Sequence, residues 1–314
     1  MAEGNSTQPY VLVVGAAGID SKGKAKAPFT LGTSTPGTIR VSLGGVARNI
    51  ADNLARFGIE AILLSAVGAG GSGQRILTSA AGVGINIDYM IVSADHHTSA
   101  YIALLDEKGN LVMSVDDMEI LSACLTPQVI NWRRNLIKNA AMVVFDSNLP
   151  QATIASLIKV ANRYTVRVCA DPTSTRLAAR LKPYLADIFM ITPNVAEAEV
   201  LCGKTIDDED KAIAAARLLV NAGVKIVIIT LAEEGVVYAS ARASGHIPAV
   251  ATEIVDSTGA SDALTATVVF GLLNNVPLDE SVRLGASAAA LTLACSDTVC
   301  ADLSLDLLYD NLLI

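Results

Sequence analysis

Past Asp117 the chain alternates short β-branched apolar runs with stretches of helical character, and this alternation constrains the fold more than any other feature. Strands are predicted at 142–145, 166–170, 188–192, 226–230 and 236–239, with helices at 152–161, 195–202 and 211–222 between them. Strands separated by helices imply a parallel sheet covered on both faces, an α/β fold. An earlier run at 10–14, ending in Gly15, reads as one more buried strand of that sheet, and Asp20 follows where open α/β sheets place ligands. Helices are expected at 50–57, stopped by Gly58, and at 75–81, with a strand at 61–67 between them. Residues 83–85 and 89–92 look like connecting strand material.

The segment 21–41 is rich in Gly, Pro, Thr and Lys, too polar for core, and reads as exposed strands or a flap. Runs at 98–105 and 111–115 flank Glu107-Lys108-Gly109-Asn110, a hairpin signal. Together these pieces are expected to form one small sheet outside the main body.

At 314 residues, 52% hydrophobic and 17% charged, the chain can bury a large single core. A net charge of −8 argues against a nucleic-acid polymer or an anionic membrane as partner. No apolar run reaches membrane-spanning length, and residues 1–8 are polar, so no signal peptide is expected and the location is expected to be cytoplasmic. Five cysteines without metal-ligand spacing imply reduced thiols. Three histidines, two of them adjacent, do not suggest a multi-histidine metal site.

Chemistry concentrates in Asp256-Ser257-Thr258-Gly259-Ala260-Ser261-Asp262, which lies between a predicted strand edge at 253–255 and an apolar helix. A glycine-rich turn there offers free backbone N–H groups at a helix start, with a carboxylate in the first turn. Such an acid can take a proton from a hydroxyl while the amides stabilise nearby negative charge; equally, the residues could be a helix cap. Gly44 and Gly45 precede a helix and allow close backbone approach, and Asn49 can both donate and accept, although an ordinary turn needs no more. Asn194 and Glu197 have capping-box spacing before another helix. Gly68-Ala69-Gly70-Gly71-Ser72-Gly73 fits a dinucleotide fingerprint formally, but it does not follow the first strand and has no acidic strand end downstream.

The 256–262 stretch resembles the C-terminal signature of the ribokinase-like (PfkB) carbohydrate and nucleoside kinases, normally Asp-Thr-x-Gly-Ala-Gly-Asp. Likeness extends from about residue 10 to 308. It implies a ribokinase-like three-layer α/β/α domain spanning 1–314, with a β lid from roughly 21–41 and 98–115. By matching position Asp262 would be the catalytic base, and Gly259, Ala260 and Ser261 would line the anion hole. Ser261 stands where the family has Gly, which leaves room for a catalytically impaired binder. Leu43 to Ala51 resembles the N-terminal signature, so Asp20, Gly44, Gly45, Arg48 and Asn49 would hold sugar hydroxyls. Thr98 and Asn148 join them as substrate contacts. Asn194 and Glu197 resemble the element that orders magnesium through water. Thr230 and Gly235 match the nucleotide-side segment, where Ala232 replaces a usual Gly. Within the family, residues 44–51, 64–68, 98–106 and 115–120 are similar to the pseudouridine kinases. The resemblance therefore implies an ATP- and Mg2+-dependent transfer to a ribosyl hydroxyl, pseudouridine first, with ribose, fructose or another nucleoside as alternatives. It also allows a monovalent cation and a homodimer formed through the lid.

Overall fold

The apolar runs pair into a single large sheet in the computed structural model of the chain, which describes residues 9–312. In chain order the strands are β1 (Val11–Val14), β2 (Gly18–Ala25), β3 (Gly37–Gly44), β4 (Ala61–Leu64), β5 (Ala66–Gly68), β6 (Ile91–Ser93) and β7 (Ser99–Leu105). There follow β8 (Leu111–Asp117), β9 (Met142–Asp146), β10 (Arg167–Asp171), β11 (Met190–Ile191), β12 (Ile226–Thr230), β13 (Val236–Ser240) and β14 (Ser244–Ile247). Eight of them form the main sheet in the order β14-β13-β12-β11-β10-β9-β1-β4. Pairing is parallel from β4 to β12, and β13 and β14 extend that edge antiparallel.

Both faces are covered, which is why β1 and β4 are apolar at every position rather than every second one. Leu12, Val14, Val143 and Phe145 face a layer containing the helices Gln151–Arg163, Val195–Cys202 and Glu209–Asn221. Their neighbours Val11, Val13, Met142 and Val144 face the helices Val46–Arg56, Ala260–Leu273 and Leu278–Leu293. The result is the three-layer α/β/α arrangement of the ribokinase fold. A second sheet, in the order β3-β2-β7-β8, stands at the C-terminal end of β1. Its strands cover 18–25, 37–44, 99–105 and 111–117, so it begins three residues before the expected 21 and ends two after the expected 115.

Some expectations need correction. Residues 253–255 form no strand; Ile254 and Val255 are exposed, and Val255 N–H donates to the Leu293 carbonyl instead of a strand partner. The 83–85 segment is the end of the helix Gly71–Gly82, turned by Gly84 in the left-handed region. Gly70 caps that same helix, so the formal dinucleotide motif is a helix start with Gly73 packed on the Gly68 carbonyl. Cys295 and Cys300 form a disulfide across Cα atoms 5.6 Å apart, leaving only Cys124, Cys169 and Cys202 as free thiols. Among the described residues no helix is long and apolar enough to cross a membrane.

Candidate active site

The helix Ala260–Leu273 begins on Gly259, whose φ of 87° lies in the left-handed region. A Cβ there would also fall on the Thr298 carbonyl, so glycine is required on both counts. Ser261 lies inside the helix without a positive φ, so its substitution for a family glycine brings no backbone strain. The N–H groups of Gly259, Ala260, Ser261 and Asp262 have no protein acceptor among the described residues. Four free amides at the positive end of a buried helix make an anion site.

Asp262 closes that site from the helix's first turn. It is 6% exposed, and one carboxylate oxygen accepts a 2.6 Å hydrogen bond from Asn49 Nδ2. Burial pushes its pKa up to about 7, helped by the charges of Asp146 and Asp20 and opposed by the Asn49 bond and Arg48. Asn49 comes from the helix Val46–Arg56, whose entry is fixed by Gly45 at φ 94°, pressed against the Ala16 carbonyl. Buried Asp146, at the end of β9, locks the same corner by accepting from Ala16 N–H at 2.7 Å and Ala47 N–H at 3.0 Å. The sequence reading missed Asp146, although an acid ending a strand of a parallel sheet is the available signal.

The other residues expected on the sugar side divide. Asp20 sits within β2, buried, with its carboxylate against Gly44. Burial raises its pKa, against the pull of Lys22 and Arg48. Arg48 is buried, and it donates to Asp52, to the Leu43 carbonyl at 2.7 Å and to Thr298 Oγ1 at 2.9 Å. It therefore braces the 43–52 segment against the disulfide-closed loop. Thr98 Oγ1 accepts from Gly68 N–H at 3.0 Å, pinning the turn beside β7. Asn148 lies half-buried just past β9, with its N–H on Asp146.

On the opposite side, Asn194 and Glu197 form the capping box their spacing suggests, with reciprocal bonds of 3.0 and 2.9 Å. Buried Glu197 keeps a second oxygen outside that motif, and burial raises its pKa. Asp171, at the end of β10 and absent from the sequence candidates, is raised well above the usual range by burial and by Asp262, Glu197 and Asp146. Asp146 and Asp171 are register partners at the ends of neighbouring parallel strands. Among the described residues no group of three or more acidic, histidine or cysteine side chains could ligate a metal directly, so Mg2+ here would be a hydrated ion held through water by few protein ligands. Thr230, at the end of β12, bridges Asn194. Gly235 is left-handed and packed on the Ile247 carbonyl, while Ala232 is held at φ 52°. Close backbone approach at this turn therefore persists, with strain where the family has Gly.

Free amides at a helix start, a buried carboxylate of raised pKa and acids at the C-terminal ends of parallel strands suit phosphoryl transfer. Residues 8–302 match the family described as pfkB family carbohydrate kinase, and the chain belongs to that family. It is 31% identical to the pseudouridine kinase of Escherichia coli over 297 residues, 94% of each chain. It is also similar to a carbohydrate kinase from Agrobacterium tumefaciens, at a TM-score of 0.82 and 29% identity over 97% of each chain. A ribokinase from Arabidopsis thaliana, complexed with ribose and ATP, shares the fold at a TM-score of 0.84 and 19% identity, covering 97% of this chain and 98% of its own. The protein is a carbohydrate or nucleoside kinase, and ATP with Mg2+ is what its family uses.

Proposed function

We propose that the chain transfers the γ-phosphoryl group of ATP to the 5′-hydroxyl of pseudouridine. The observation that carries this reading is the 2.6 Å contact between Asn49 and Asp262, which joins the two signature segments at the end of an uncapped helix. With Asn49 placed to bond a sugar hydroxyl, Asp262 would accept that hydroxyl's proton as it attacks. The free N–H groups of Gly259, Ala260 and Ser261 would receive the negative charge of the transferring phosphoryl group. Asp20, lying against Gly44, would hold a further hydroxyl, and Thr98 and Asn148 would shape the acceptor end. Thr230 and Gly235 would border the nucleotide. Asn194 and Glu197 would hold Mg2+ through water, with Asp171 beside them, and the ion would neutralise phosphate charge when bound. A monovalent cation is a further ligand in this reading.

The pseudouridine kinase relative supports the acceptor, and Asn148 suits a base edge because an amide both donates and accepts. We read the described chain as one kinase domain with β3-β2-β7-β8 as its lid. Register places Val41, Ile102 and Val115 in one row of the lid, and Ile39, Leu104 and Met113 in the next on the same face. Ile39, Val41, Ile102, Met113 and Val115 are all exposed, so this face fits a homodimer closed lid against lid.

ADP release measured with pseudouridine, uridine, ribose, fructose and adenosine tests the reading. Pseudouridine should give the highest kcat/KM, with the new phosphate on the 5′ oxygen by phosphorus NMR. A higher value for ribose or fructose would reassign the acceptor, and ligand-induced stabilisation without any ADP would mark a pure binder.

A further inference from the structure

We infer that Lys22 is a positioning residue, a lid-borne ammonium that holds the anion-hole loop in its working geometry. The inference rests on the kinase reading above. Lys22 lies in β2, and its Nζ reaches both carboxylate oxygens of Asp256 at 2.6 and 2.7 Å and also the Thr258 hydroxyl. Its side chain is 13% exposed and that of Asp256 16%, so the pair is largely withdrawn from water. Such pairs act as geometric fixtures, because breaking one strands a charge away from solvent.

Asp256 in turn accepts the Thr258 N–H at 2.9 Å, shaping the turn that delivers Gly259 in its left-handed conformation. The connection therefore runs from a lid strand, through one carboxylate, to the residue where the free amides begin. Beyond the Val255 and Asp256 N–H bonds to the Leu293 carbonyl, little else ties this stretch down: residues 251–258 have no regular structure, and Ile254 and Val255 are exposed.

Asp20 lies two residues before Lys22 on β2, so both side chains project from the same face, toward the site. Arg40, the cross-strand partner of Lys22 on β3, reaches the Ser296 carbonyl at 3.1 Å. One strand pair thus grips both loops that flank the helix start, and it also presents the carboxylate assigned to the sugar. Acceptor binding at Asp20 and alignment of the amides then share one mechanical element. The lid has to be in place before the phosphoryl charge can be received.

The test compares wild type, Lys22→Met and Lys22→Arg by hydrogen–deuterium exchange over residues 253–263 and by steady-state kinetics, with and without methylammonium chloride. In Lys22→Met the segment should exchange about tenfold faster, a shift of about 1.4 kcal/mol in local opening. Its kcat should fall on the order of 10²-fold, the scale of a misplaced reactive group, with far smaller changes in KM. Methylammonium, filling the vacated place between Asp256 and Thr258, should restore slow exchange and part of kcat while leaving wild type unchanged. Lys22→Arg should stay near wild type in exchange. Unchanged exchange in Lys22→Met, or loss that methylammonium does not reverse, would overturn the inference. A wild-type chain that turns over no acceptor would instead sink the kinase reading, and the exchange data would still decide whether Lys22 holds the loop.

Discussion

At the scale of single residues, the chemistry depends on Asp262 being ionised when the acceptor hydroxyl attacks, with burial holding its pKa at about 7. A base with its pKa at about 7 is well matched to a proton transfer at neutral pH. Because the free enzyme must lose that proton to act, kcat/KM should climb with unit slope below about pH 7 and level off above it. A profile flat from pH 5 to 8 in rate assays would place the base elsewhere. Ser261 shows how local conformation, not residue type alone, decides tolerance: the left-handed position is 259, so the helical position next but one accepts a side chain.

At the scale of elements, turns do the positioning. Gly259→Ala would combine a positive φ with a Cβ on the Thr298 carbonyl, a destabilisation on the order of 2–4 kcal/mol in urea titration. Ala232→Gly runs the other way, since φ 52° is strained for alanine; it should gain up to about 1 kcal/mol in the same measurement. A loss of stability in Ala232→Gly would show that the alanine methyl is packed rather than strained. These elements were unevenly legible in the sequence. The central strands and the helices between them follow from unbroken apolar runs, which only a doubly covered sheet explains. The motif residues Asn49, Asp262, Asn194 and Glu197 were found because their spacing is local. Asp146 and Asp171 escaped because each is one acid at a strand end, and only the parallel register brings them beside Asp262. Arg48 was legible as a charged residue in a motif, but its burial against Thr298, 250 positions away, was not. The pairing of Cys295 with Cys300 was hidden by the odd cysteine count.

At the scale of the whole molecule, the carboxylate cluster ties stability to pH and to metal. Asp262 binds a proton in the folded state that an ordinary unfolded carboxyl has already released between about pH 4 and 7. The folded state then holds more protons than the unfolded one, so stability falls as pH rises through that window and levels off above it. Mg2+ binding to the deprotonated cluster should therefore raise Tm more at pH 8 than at pH 5.5 in thermal-shift measurements, and an equal shift at both would detach the metal from these acids. The lid's apolar face belongs to this scale too. Light scattering should show a dimer, and Val115→Lys should yield monomers; a monomeric wild type would remove the interface while leaving the chemistry intact. One carboxylate, set in the first turn of a helix with free amides, drives turnover by the entire fold. Asp262→Asn keeps an acceptor for Asn49 and removes a buried charge, so Tm should hold or rise while kcat for the preferred acceptor drops on the order of 10²–10⁴-fold. An Asp262→Asn enzyme with wild-type kcat would contradict the account.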